Sequence, residues 1–479
     1  MKNKGFVMYA YSYCGFTCKK EGSFKEVRSP YHNEVVSYVQ ICNNNDAQAM
    51  LTLAKERSKE AKGVPLHQRM NWLLDVASKL EIMKDEMAKT ITDEVGKPLQ
   101  FSRIEVARAV ETIKLSANAM LHVNGETFDT TAMPSGKKTL SFYTREAVGV
   151  VVAITPFNFP LNLVAHKIAP ALVAGNVVIL KPSSQAPLSA FKLAKLFIES
   201  PYASKDALSI IYSGTGVNDA LIQSPVPRVI SFTGSVGVGK EIMRKAGIKK
   251  VALELGGNAA TYIDVSANVG HSAKRCAFGA FINSGQVCIS LQRIYVHEAI
   301  YEAFSHALVE ETKALCVGSP YEEETFIGPM VNQSAVDKAS RWVKSALEQG
   351  AKRLHGFTCK DLMFEPTILG DVREEMNIVC EEVFAPIVSL IKVTCYEEAK
   401  QKINASEYGL QYSLFSNDLA MVHDAIENFE AGGIVVNDIP TLRFDLQPYG
   451  GIKESGIGKE GPYFSLIDDY TQIKSVVIC

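Results

Sequence analysis

The feature that most constrains this chain is the alternation of short apolar runs with helical patterns between Gly149 and Leu255. GVVVAI, NVVILKP, LSIIYSG, VISFTGS and VALELGG are continuous apolar runs of strand length. Such runs suit strands buried on both faces, as in parallel sheets. Between them lie LVAHKIAPALVAG, SAFKLAKLFIE, DALIQS and KEIMRKAG, which read as helices. Parallel neighbours need a crossover, and the crossover helix must cover the sheet. A doubly wound, Rossmann-like α/β unit is therefore expected.

The flanks differ in kind. From Asn45 to about Met120, apolar residues recur at helical spacing, predicting three or more amphipathic helices ended by Gly and Pro. GETFDTTAMPSGKKTLSFYTREA alternates as a hairpin does. From Asn258 a second α/β segment carries RIYVH, FEPTILG, APIVSLIKV and GGIVVND as strands. The closing TQIKSVVIC is a strand-like tail able to pair with the hairpin or with another subunit. A chain of 479 residues built this way divides into two or three domains.

Charge narrows the partners. Fifty basic residues stand against 52 acidic ones, a net charge of -2, which gathers neither nucleic acid nor an anionic membrane. Small molecules are the expected partners. The ten cysteines lack the paired spacings of a tetrahedral metal site, and the CxxxC of Cys14 and Cys18 stands alone, so no metal is expected. So many thiols suit a reducing cytoplasm. No apolar run approaches the roughly 18 residues of a membrane span, and the opening MKNKGFVMYAYSYCG is too polar for a signal-peptide core. A cytoplasmic protein is expected.

The chemistry is less plain on composition alone. GxGxxG is absent; the chain offers SGTG at Ser213 to Gly216 and GSVGVGK at Gly234 to Lys240. VISFTGS carries Gly234 and Ser235 from a strand end to a helix start, where free N–H groups and the helix dipole hold a pyrophosphate. Taken alone, such strand-to-helix glycines are more often simple turns. Cys288, in GQVC, and Glu254, in ELGGN, are the thiol and carboxylate that forming and hydrolysing a thioester require. A free cysteine is more often a buried small hydrophobe. Spacing does not decide between these readings.

Seven motifs do more. ITPFNFPLN from Ile154, KPSS from Lys181, FTGS from Phe232, ELGGN from Glu254, GQVC from Gly285, EEVFAP from Glu381 and PYGGIKESGIGKEG from Pro448 occur in that order. In these the chain resembles the aldehyde dehydrogenase superfamily over nearly its whole length. The resemblance accounts for the missing GxGxxG, since this family holds its dinucleotide differently. It implies a discontinuous cofactor domain at 20–122 and 146–252, a catalytic domain at 253–455, and an oligomerisation element at 123–145 and 465–479, with a homodimer or homotetramer as the assembly.

It also implies roles. Cys288 matches the nucleophile, Glu254 the general base, and Asn158 the amide that forms an oxyanion hole with the Cys288 N–H. Lys181 matches the residue on the adenine ribose, Glu382 that on the nicotinamide ribose, and Phe384 the aromatic beside the nicotinamide. Thr155, Pro156, Phe157, Gly214, Gly234, Ser235 and Leu255 fall at the remaining cofactor positions. The chain departs from the pattern at Ala385, usually Gly, and at Phe157, usually Trp. Ser184 stands where NAD-preferring relatives carry a Glu; serine neither grips the ribose hydroxyls nor repels a 2′-phosphate, so NAD or NADP is expected.

The pattern is most similar to the lactaldehyde, glyceraldehyde-3-phosphate and phosphonoacetaldehyde branch. Arg108 and Arg443 sit in segments that approach the substrate tunnel in similar enzymes, where a guanidinium pairs with an anionic group; surface or interface ion pairs are the alternative. Val287 replaces the Arg that precedes the nucleophile in some phosphate-using relatives. A small polar aldehyde such as lactaldehyde or a semialdehyde is therefore the expected substrate. The alternatives are a phosphorylated, phosphonylated or sulfonated aldehyde, or a catalytically silent relative.

Overall fold

The computed structural model describes residues 8–15, 17–18, 22–213 and 217–479. Among these, the expected alternating segment forms the middle of an eight-stranded sheet. Its five parallel strands run in the order Leu208–Ile210, Val177–Lys181, Val150–Ile154, Val229–Thr233, Lys250–Glu254. The direction of strand addition reverses between Val150–Ile154 and Val229–Thr233, and a doubly wound sheet takes its ligand at such a switch point, beyond the carboxyl ends of the strands. The strand Val150–Ile154 and the helix Asn162–Val173 are buried at every residue. That is why both read as unbroken apolar runs.

Antiparallel strands extend both edges. Tyr13–Cys14, upstream of position 20, pairs with Leu208–Ile210, and Gly456–Ile457, from the far end of the chain, pairs with Lys250–Glu254. The helical lead-in resolves into Asn44–Gly63, Leu66–Ile82, Lys84–Val95 and Leu99–Ala119. Trp72 is fully buried between this layer and the sheet's helices, its indole N–H donating to the Phe197 carbonyl at 2.8 Å.

A second, seven-stranded sheet runs Lys352–His355, Thr367–Gly370, Ile387–Val393, Leu291–His297, Ala259–Ile263, Gln411–Phe415, Gly433–Val436. It is parallel except for Lys352–His355. A third sheet joins Thr127–Phe128, Leu140–Ala147 and Thr471–Ile478. The tail pairs with the hairpin of its own chain, in register from Thr471 opposite Ala147 to Ile478 opposite Leu140. No helix among the described residues is long and apolar enough to cross a membrane.

Candidate active site

The carboxyl ends of four of the five parallel strands deliver most of the residues singled out by sequence. Thr155, Pro156, Phe157 and Asn158 follow Val150–Ile154; Lys181 ends Val177–Lys181; Gly234 and Ser235 follow Val229–Thr233; Glu254 ends Lys250–Glu254 and Leu255 follows it. Ser235 caps the helix Val236–Ala246 without a side-chain hydrogen bond, so its first N–H groups are left for a ligand. The hydroxyls of Thr155 and Thr233 are buried without a partner at the same edge. Buried polar groups are ordinarily satisfied, so these open donors fit a polar ligand such as a dinucleotide. Burial pushes the Lys181 ammonium pKa down. Ser184 is exposed, and its carbonyl accepts from the Tyr212 hydroxyl at 3.3 Å. Gly214 lies outside the described residues.

The second sheet closes the site from the other side. Glu382 accepts from the Gly257 N–H at 2.9 Å, and burial pushes its carboxyl up to about 7 against that hydrogen bond and the Lys338 charge. A Cβ at Gly256 would lie 2.7 Å from the Glu382 carboxylate, which would have to shift to admit it. Phe384 meets Phe157 edge to face, ring centroids 5.9 Å apart, joining the two sheets.

Cys288 is delivered by a strained loop. Asn283, Ser284 and Gly285 have φ of 51°, 55° and 68°, three consecutive left-handed residues. Two of these are not glycine, a cost borne where surrounding contacts enforce the turn. The enforcing contacts are the Ser284 hydroxyl donating to the Gly328 carbonyl at 2.8 Å and the Gln286 amide oxygen accepting from the Val331 N–H at 3.0 Å. At Gly285 a Cβ would meet the Ala385 carbonyl at 2.1 Å. The Asn158 amide donates to the Gln286 carbonyl at 3.0 Å, which holds it beside this turn.

The Cys288 thiol lies 2.9 Å from the Tyr449 hydroxyl. Burial pushes its pKa up to about 11; the Tyr449 hydrogen bond and the Arg443 charge oppose the rise, and Glu254 and Glu382 add to it. Cys288, Arg108, Arg443 and Tyr449 line a cavity of about 270 Å³, with Phe159 and Leu163 among its apolar walls. Glu254 lines a different, polar pocket of about 10 Å³ with Lys167, Ser231, Lys459 and Glu460, room for about one water. One Glu254 oxygen is buried without a partner. Burial, then Glu460, raises the Glu254 carboxyl well above its ordinary range, while Arg443, Lys167 and Lys459 pull the other way.

Both arginines already have partners. Arg108 grips Asp445 with two hydrogen bonds, at 2.9 and 2.7 Å. Arg443 donates to Glu460 at 3.0 Å, lies 3.8 Å over the Tyr449 ring, and keeps its buried Nε 3.6 Å from Asp445, an ion pair without a hydrogen bond. Burial opposes ionisation of Asp445, but His166, at 2.9 Å, and Arg108 hold its carboxyl well below the usual range. Glu460 is held at about 2, against burial, by Lys167, His166 and Arg443.

Sequence reasoning missed Tyr449, Asp445, Glu460, His166 and Lys167 as site residues. Tyr449 and Glu460 lie inside a quoted motif, and Lys167 is a lone cation in an apolar helix, a pattern that itself signals a paired buried charge. Asp445 carried no such mark.

The aldehyde dehydrogenase family model matches residues 16–476. The chain is 38% identical over 453 residues to the 3-sulfolactaldehyde dehydrogenase of Priestia aryabhattai, covering 95% of this chain and 94% of that one. It is 38% identical over 459 residues to the lactaldehyde dehydrogenase of Methanocaldococcus jannaschii, with 95% and 97% covered. Aldehyde dehydrogenase 21 of Physcomitrella patens, solved with the reaction product succinate, superposes with a TM-score of 0.96 at 34% identity over 98% of both chains. Glyceraldehyde-3-phosphate dehydrogenase of Methanocaldococcus jannaschii, solved with NADP, gives 0.91 at 35% identity over 96% and 100%. Fold, motif order and whole-chain similarity agree: the chain belongs to the aldehyde dehydrogenase family.

Proposed function

We propose that the protein oxidises a small polar aldehyde, lactaldehyde or a semialdehyde, to its carboxylic acid with NAD or NADP, using Cys288 as nucleophile. What carries the reading is Cys288 on the wall of one cavity with Arg108 and Arg443, at the carboxyl edge of a sheet with open polar groups. The thiol attacks the carbonyl carbon, and the oxyanion takes hydrogen bonds from the Asn158 amide and the Cys288 N–H. A bound nicotinamide would supply the hydride acceptor that the thiohemiacetal on Cys288 needs to become a thioester. Glu254, its proton affinity raised by burial, takes a proton from water as that water attacks the thioester. Lys181, Ser184, Gly234 and Ser235 are suited to the adenosine and pyrophosphate, and Glu382, Phe384, Phe157, Thr155, Pro156 and Leu255 to the nicotinamide half.

The substrate class follows from charge. Asp445 and Glu460 offset much of the charge on Arg108 and Arg443, so the cavity suits a neutral or singly charged aldehyde better than a phosphate dianion. The succinate-bound relative and the lactaldehyde dehydrogenases support the same two candidates. A cytoplasmic setting and a homodimer or homotetramer belong to the same reading. NADH and NADPH formation by the protein and by Cys288→Ala tests it, with lactaldehyde, succinate semialdehyde, glyceraldehyde 3-phosphate and a sulfonated aldehyde as substrates. Activity lost in the variant and highest with the first two supports the proposal. Highest activity with the phosphate overturns the charge argument, highest activity with the sulfonate replaces the two candidates by another singly charged aldehyde, and a silent parent protein overturns the catalytic role.

A further inference from the structure

We infer that Tyr449 is a further catalytic residue, its hydroxyl donating a hydrogen bond to the Cys288 thiolate and so raising the fraction of reactive sulfur. The inference rests on Cys288 being the nucleophile. The geometry is direct: the two atoms are 2.9 Å apart, and the Tyr449 side chain lines the same cavity wall as the thiol.

Tyr449 is held to this position. Its backbone exchanges two hydrogen bonds with Glu460, at 2.8 and 2.6 Å, its side chain is buried, and Arg443 covers one face of the ring at 3.8 Å. A cation over the ring draws electron density from it and strengthens the hydroxyl as a donor. Burial, with the thiol and Glu254 adding to it and Arg443 opposing, raises the proton affinity of this hydroxyl well above the ordinary range, so it remains protonated when Cys288 ionises. A thiolate accepts only, so the direction of the bond is then fixed.

The thiol needs such a donor. The charged and titratable groups that act on Cys288 are Tyr449, Arg443, Glu254 and Glu382. The two carboxylates and the burial disfavour the thiolate; Arg443 and Tyr449 favour it. A phenylalanine here preserves the packing under Arg443 and removes only the hydrogen bond. The proton lost is the thiol's own, passing to water, and Tyr449 keeps its own throughout.

The test is alkylation by iodoacetamide against pH, read at the Cys288 peptide by mass spectrometry, for the full-length protein and Tyr449→Phe. Exposed Cys316 serves as the internal reference. Hydrogen bonds to charged groups are worth enough to shift the profile upward by about one to two pH units, about 10- to 100-fold less thiolate at a fixed pH. Cys288 profiles that coincide overturn the inference. Should Tyr449→Phe fail to fold by circular dichroism, 3-fluorotyrosine at position 449 keeps the ring and makes the hydroxyl a stronger donor. The profile then moves down if the hydroxyl serves the thiolate, and an unmoved profile overturns it. Full activity after Cys288 is alkylated refutes the nucleophile itself, a distinct outcome.

Discussion

Cys288 is a thiol kept neutral by its own burial, with a pKa near about 11. The reactive form is the thiolate. Its fraction rises with pH, as does that of ionised Glu254, which burial also shifts upward. Both groups therefore push the same way, and kcat/KM should climb from about pH 6 to about pH 9 with no falling limb from either. A bell with its maximum near neutrality in initial-rate measurements would contradict this assignment. Asn158→Ala removes one oxyanion donor without touching the thiol, and kcat should drop about 100- to 1,000-fold, or about 3 kcal/mol. Cys288 alkylation should then proceed as in the parent protein. Arg108→Lys cannot reproduce the two-pronged grip on Asp445. It should raise KM for succinate semialdehyde about tenfold, roughly the cost of one charged hydrogen bond, and change lactaldehyde much less. Equal effects on both would remove Arg108 from substrate recognition. Cys288, Glu254 and Asn158 stood out in the sequence because each sits in a short motif. The network behind them did not, because it is made of residues such as Lys167 and Glu460, 293 positions apart, or His166 and Asp445, 279 apart. No local pattern joins such pairs; only the fold does.

At the scale of elements, the alternating core was legible because strands buried on both faces have little freedom of composition. Gln411–Phe415 was not, although every residue in it is buried. It carries Gln411 and Ser413, whose polar groups are satisfied inside the sheet, Ser413 by Thr261 at 2.7 Å and Gln411 by the Pro440 carbonyl at 2.8 Å. A polar side chain with a distant partner hides a buried strand from any pattern of hydropathy. Glu94 is the same effect between helices. The helix Leu188–Ile198 begins at Pro187, which caps nothing. Glu94, on Lys84–Val95, instead accepts from the N–H groups of Leu188, at 2.7 Å, and Ser189, at 3.1 Å. Glu94→Ala leaves those donors buried and should destabilise the fold by about 2–4 kcal/mol, seen as a lower Tm. Burial pushes this carboxyl from 4.5 up to about 7 in the folded chain. With the folded value raised, the protonated form is favoured by folding. The stability it contributes is complete below 4.5 and is lost as pH rises through about 7. Glu94→Gln, which does not titrate, should flatten that part of the Tm profile; a profile unchanged in shape would show that Glu94 does not titrate there.

At the scale of the whole molecule, the two large sheets bury their faces under helices, but the third stands apart. Thr471–Ile478 is its outer strand, paired on one side along all eight residues and unpaired on the other among the described residues. Ile473, Val477, Leu140 and Phe128 on this sheet are each more than half exposed. A long unpaired edge with exposed apolar residues is a template for pairing, and natural proteins cover it or blunt it with charge. In the homodimer or homotetramer proposed above, a second copy of the chain would be that cover. Replacing Ile473 and Val477 together by Glu puts charge where that contact would form and disturbs little inside one chain, since surface changes usually cost within about 0.5 kcal/mol each. The expected outcome by size-exclusion chromatography with light scattering is a smaller assembly, with circular dichroism unchanged. If the double variant keeps the mass of the parent assembly, the sheet is not the contact that builds it.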